Sequence, residues 1–155
     1  MNAVCAALAA ALLALAGCDR PPPPVYQLRP DDPAVTATGQ KIYATHCAAC
    51  HGARLEGQPN WRIRDAAGRL PAPPHDATGH SWHHPDEVLF AITKHGVAKA
   101  ANLQDHDSAM PAYEGVLTDA EINAVLSWIK SQWPRETRKL HDEVNASSHR
   151  GHAKP

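Results

Sequence analysis

The apolar residues of the chain fall into separate blocks divided by polar and proline-rich stretches. The first block, Ala3 to Ala16, is almost unbroken Ala, Leu and Val. It is too short to span a bilayer and has no polar face, so it reads as the apolar region of a signal peptide rather than as a buried amphipathic helix. In the second block Val35, Gly39, Ile42 and Tyr43 recur at helical spacing. Asp32-Pro33 opens it with an N-cap and a proline at the first helical position. Gly39 costs that helix about 1 kcal/mol of propensity, which makes sense where another element must approach closely. The third block, Val88, Leu89, Phe90 and Ile92, predicts a helix with Pro85, Asp86 and Glu87 in its first turn and Gly96 behind Lys94 and His95. The fourth is the best marked. Ile122, Val125, Leu126 and Ile129 form an apolar stripe behind the capping box Thr118-x-x-Glu121, with Leu117 and Ile122 as a hydrophobic staple and Pro134 as the stop. Trp128 and Trp133 lie at its far end, where they can pack against the first helix near Gly39 and Tyr43.

The stretches between the blocks have their own character. Pro21, Pro22, Pro23 and Pro24 favour extended polyproline II, a spacer of about 3 Å per residue. Residues 52–74 are rich in Gly, Pro, Arg and Asn without a period and read as loop, with turns at Gly57-Gln58-Pro59 and Ala67-Gly68. Trp61 lies in this loop with no assigned partner. From Arg135 onward the chain is polar, carries His141, His149 and His152, and predicts a mostly disordered tail. The organisation expected is a signal peptide over 1–17, a lipidated Pro-rich linker over 18–32, a helical domain over 33–134 and a polar His-containing tail over 135–155.

Length and charge narrow the picture. The chain has 155 residues, a net charge of −1 and one Phe. That suits one domain with flanking pieces and gives no reason to expect nucleic acid as a partner. Of the four cysteines, Cys5 lies in the leader, Cys18 at its end, and only Cys47 and Cys50 remain in the domain, so there is no disulfide framework.

The chemistry concentrates in Cys47-Ala48-Ala49-Cys50-His51, the attachment signature for c-type haem. Two thiols three residues apart on a helical turn share a face and can add across the two vinyl groups of a porphyrin. His51 is then carried to the iron as proximal ligand. A redox dithiol would not need His51, and a zinc site would want a second cysteine pair. One motif means one haem. Met1 leaves with the leader, so Met110 is the sole thioether of the mature chain. It stands in Ser108-Ala109-Met110-Pro111-Ala112-Tyr113, before the best-marked helix, and is the candidate for the opposite axial position. His80, His95 and His106 are rival ligands. Met ligation would raise the reduction potential relative to a pair of histidines. His80, His83 and His84 form a separate candidate: a copper or zinc site if gathered on a helix, or a solvated helix N-terminus if not.

Two resemblances follow from these residues. Leu15-Ala16-Gly17-Cys18 resembles the lipobox of bacterial lipoproteins, which implies cleavage before a lipidated Cys18. Ala16 and Gly17 equally suit ordinary cleavage to a soluble periplasmic protein. Over about residues 33–133 the chain resembles class I c-type cytochromes, in particular small single-haem bacterial lipoprotein forms. Gly39, Tyr43, Cys47 to Gly52, Met110-Pro111 and Leu117 to Trp128 carry that likeness. It implies an all-α fold of three to five helices around one covalent haem c, with the first and last helices crossing and His51 and Met110 as axial ligands. It also implies a loop near Leu70-Pro71 whose carbonyl accepts from the other nitrogen of His51. The function implied is a non-enzymatic one-electron carrier, lipid-anchored on the periplasmic side of the cytoplasmic membrane. Its partners would be a membrane oxidase, a reductase or another cytochrome. The competing readings are an enzyme or sensor with an open sixth position, and a metal-handling protein built on the His80 cluster.

Overall fold

The computed structural model describes residues 26–103 and 107–152, with side chains as far as Arg150. The leader, Cys18, the Pro21–Pro24 run and His106 lie outside the described residues. Among the described residues the fold is all helical. Helix α1 spans Pro33–His46, α2 Ala48–His51, α3 Asp86–His95, α4 Val97–Ala100, α5 Asp119–Ser131 and α6 Arg135–His152, with a 3-10 turn at Ser81–His83.

α1 begins where its cap predicts. The Asp32 carboxylate accepts from the N–H groups of Ala34 and Val35 at 3.0 and 3.2 Å. α5 opens on the reciprocal capping box of Thr118 and Glu121 and buries Ile122, Val125, Leu126 and Ile129. The two helices cross in the most extensive helix–helix contact of the domain. Gly39 is the crossing point: a Cβ there would collide with the carbonyl of Ala124 and stand 2.8 Å from Cβ of Trp128. The absence of a side chain therefore lets backbone meet backbone. The Trp128 indole then covers the Tyr43 ring, with centroids 4.6 Å apart.

Trp133 takes other partners than the first helix. Its Nε1–H donates to the His75 carbonyl at 2.7 Å, and its ring meets His141 edge to face. In α3 only Phe90 and Thr93 are buried, whereas Val88, Leu89 and Ile92 stay half-buried.

Two flanks differ from expectation. Residues 135–152 form helix α6 instead of a mostly disordered tail. His141 is completely buried beneath Trp133, and Asn145 both accepts from the N–H of Asp86 at 2.7 Å and donates to its carboxylate at 3.0 Å. Polar side chains dock this helix, so no apolar period announces it. The linker also ends earlier than residue 32. Leu28 is buried, its N–H reaches the Asp86 carboxylate at 3.3 Å, and the Arg29 N–H donates to Ser127 Oγ at 2.8 Å.

Candidate haem site

α1 passes into α2 with almost no break. The Cys47 N–H bonds to the Tyr43 carbonyl at 2.9 Å, and the His51 N–H bonds to the Cys47 carbonyl at 2.9 Å. Helical continuity places Cys47 and Cys50 on neighbouring positions of one face. Both are free thiols, Cys47 half-buried and Cys50 exposed. Burial, and then the neighbouring Cys50, pushes the Cys47 thiol up to about 11. That is opposite to a reactive dithiol or a thiolate metal ligand, which needs a depressed value. It leaves the Cys47 thiol protonated, the form that adds S–H across a vinyl double bond.

His51 is 6% exposed and turns its Nδ1 to the Pro73 carbonyl at 2.8 Å. A carbonyl only accepts, so Nδ1 must carry the ring proton and Nε2 keeps its lone pair. Burial pushes the imidazole down from its ordinary value, with the bond to Pro73 acting weakly the other way. The ring is thus neutral, with one nitrogen pinned and the other free to ligate. The accepting carbonyl was expected near Leu70-Pro71 and lies slightly further on, at Pro73.

The supporting loop is braced at several points. Gly57 N–H donates to the His51 carbonyl at 2.8 Å, Gln58 N–H to the Ala72 carbonyl at 2.8 Å, and His75 N–H to the Leu55 carbonyl at 2.8 Å. Gly57 has φ +68°, and a side chain there would press on the Pro73 carbonyl carbon at 2.7 Å. Tyr43 Oη donates to the Gly52 carbonyl at 2.9 Å, which ties the last turn of α1 to the residue after His51.

Met110 is half-buried and packs on the same core that Cys47 and Ala48 join. Its loop is anchored three residues later. Tyr113 Oη donates to the His46 carbonyl at 2.6 Å, immediately before Cys47. The backbone N–H groups of Tyr113 and Glu114 meet the carbonyls of Thr93 and Lys94 at 3.1 and 2.9 Å. The thioether-bearing loop is therefore tied both to the end of α1 and to the end of α3.

Of the rival histidines, His80 and His95 lie among the described residues and have other engagements. His95 Nδ1 lies 3.2 Å from the Glu114 carboxylate. His80 stacks on Trp61, which Arg62 covers at 4.2 Å. His83 stacks on Trp82 at 3.6 Å, and the His84 carbonyl accepts from His141. The His80 and His84 rings meet edge to face 5.5 Å apart, but among the described residues no group of three or more His, Cys, Asp or Glu could hold a metal ion.

The donor set fits a covalent haem: two free thiols on one helical turn, a neutral imidazole with its remote nitrogen committed, and a thioether loop bonded to the same helix end. Sequence reasoning missed Tyr113, the backbone carbonyl of His75 and the indole of Trp133. The available signals were a tyrosine three residues after Met110 and a histidine directly behind the Pro73-Pro74 pair.

Comparison with curated proteins and with solved structures yields no match. The family model for cytochrome c matches residues 36–133, well over half of the chain and inclusive of every site residue just described. The chain belongs to the cytochrome c family, a haem-binding electron-transfer protein with one covalent c-type haem.

Proposed function

We propose that the protein is a one-electron carrier tethered to the periplasmic face of the cytoplasmic membrane. The bound haem supplies exchange of a single electron between ferrous and ferric iron. Cys47 and Cys50 would hold it through thioether bonds, and His51, through Nε2, and Met110, through sulfur, would ligate the iron. The observation that carries this reading is the Nδ1 contact of His51 with the Pro73 carbonyl, which commits the proton and leaves Nε2 as the donor. The Tyr113 bond to His46 supports Met110, because it keeps that loop beside the attachment motif. Were His51 and Met110 both to hold the iron, no coordination position would be left for a substrate, which suits electron transfer rather than turnover. Cys18 carries the lipid anchor and the Pro21–Pro24 stretch acts as the spacer. The partners are membrane oxidases, reductases or other cytochromes that accept an electron at the haem edge.

The test is the visible spectrum of oxidised and reduced protein, wild type against Met110→Ala. Loss of the thioether-to-iron band in the variant, with a fall in reduction potential, is the expected result. A spectrum that Met110→Ala leaves unchanged removes Met110 as ligand and the carrier reading with it.

A further inference from the structure

His75 stands against the proximal face of the site without a role in holding the haem. Its imidazole lies parallel to that of His51, with ring centroids 3.8 Å apart and planes 16° from parallel. The Tyr43 ring meets it in an edge contact, with centroids 6.1 Å apart and planes at 63°. The backbone of His75 is fixed at both ends of the residue, the N–H by the Leu55 carbonyl at 2.8 Å and the carbonyl by Trp133 at 2.7 Å. Its Nδ1 is buried and has no hydrogen-bond partner. A buried polar atom without a partner is costly, so some other gain must keep a histidine here.

We propose that His75 is a positioning residue that fixes the plane of the His51 imidazole by stacking on its face. The Pro73 carbonyl holds one atom of the His51 ring, and a single hydrogen bond still allows the ring to rock about that contact. A flat partner at 3.8 Å removes the rocking. Two flat rings in stacked contact attract. An aliphatic residue would fill the same volume but would not define a plane. The orientation of an axial imidazole decides which iron d orbital its π system meets, so it is read directly in the ferric spectrum.

The inference rests on His51 being the proximal ligand, and the experiment separates the two claims. Ferric wild-type protein with haem attached is examined by electron paramagnetic resonance beside His75→Leu and His75→Phe. A wild type without a low-spin ferric signal would sink the ligand assignment before any variant is compared. With that signal present, His75→Leu is expected to replace one sharp set of g values by a broadened or split set, and His75→Phe to restore the sharp set. Identical g values in all three proteins, even with a lower melting temperature for the leucine variant, would reduce His75 to packing alone and overturn the proposal. Should the leucine variant fail to mature, proton NMR of the reduced wild type decides. Nuclear Overhauser contacts between the ring protons of His51 and His75 are expected, and their absence overturns the stack.

Discussion

Helices α5 and α6 follow one another across Pro134, yet opposite means hold them to the domain. α5 presents Ile122, Val125, Leu126 and Ile129 to the core. α6 presents Arg138, His141, Asn145 and Ser148, the same helical spacing written in polar residues. These bond to Asp31, to the His84 carbonyl, to Asp86 and to Glu87. The dependence runs both ways, because Lys130 of α5 is only 5% exposed and its ammonium meets Asp142 of α6 at 2.6 Å. Apolar burial is non-directional and worth about 1.5–3 kcal/mol for each large side chain. A typical hydrogen bond nets about 0.5–1.5 kcal/mol and requires its geometry. α5 therefore belongs to the global fold, while α6 opens at lower free energy. The lesson is that a helix can dock at helical spacing chiefly through polar side chains.

The strongest way to break the apolar side of this comparison is Gly39→Ala. Were helix propensity in control, alanine would stabilise α1 by about 1 kcal/mol. The new Cβ instead meets the Ala124 carbonyl, which belongs to helix backbone and cannot rotate away. Overpacking against a fixed neighbour costs about 1–3 kcal/mol, occasionally more. The expected outcome is a net loss of about 2 kcal/mol or more in denaturant unfolding of the haem-loaded protein. A stabilised variant would show that the crossing is looser than drawn.

The polar side breaks at His141. Its Nε2 donates to the His84 carbonyl at 2.9 Å, so a second proton must enter at Nδ1, which is buried and has no partner. Burial, then Lys130, lowers its pKa below the ordinary 6.5, and Asp86, the His84 carbonyl and Asp142 offset only part of that. The unfolded chain then takes up the proton first. Stability from this site is complete above about pH 6.5 and falls as the pH drops toward the lower folded value. Amide exchange of α6 should accelerate in that window while α5 remains protected. His141→Leu should cost about 1–2 kcal/mol at neutral pH, because it leaves the His84 carbonyl unpartnered, and should abolish the acid sensitivity of α6. Equal acid sensitivity in the variant would assign it to another group.

The same contrast explains what could be read in advance. α1, α3 and α5 combine apolar periodicity with caps, both of which are local in sequence. The attachment motif is local too, since Cys47, Cys50 and His51 lie within one helical turn. What supports the motif is remote. Pro73 reaches His51 from 22 residues away, Tyr113 reaches His46 across 67, and Trp133 reaches His75 across 58. No period or spacing encodes such contacts; only the resemblance to class I cytochromes anticipated a carbonyl behind His51. α6 and the docked Leu28 were hidden for a related reason. One is anchored by polar groups that also suit solvent, and the other is a single apolar residue among prolines and charges.

The smallest expected effect sharpens the comparison from the α5 side. Thr118 Oγ1 accepts from the Glu121 N–H at 3.3 Å, and the Glu121 carboxylate accepts from the Thr118 N–H at 2.8 Å. Thr118 is exposed and Glu121 half-buried, so water can serve the freed groups in part. Thr118→Ala should therefore cost about 1 kcal/mol, at the ordinary level for a lost N-cap. Because α5 is held by its buried stripe and by the Gly39 crossing, the loss should appear in the global unfolding free energy and leave amide protection in α6 unchanged relative to it. Selective fraying of α6 in Thr118→Ala would mean that the two helices open as one unit, and the division between apolar and polar docking would not hold.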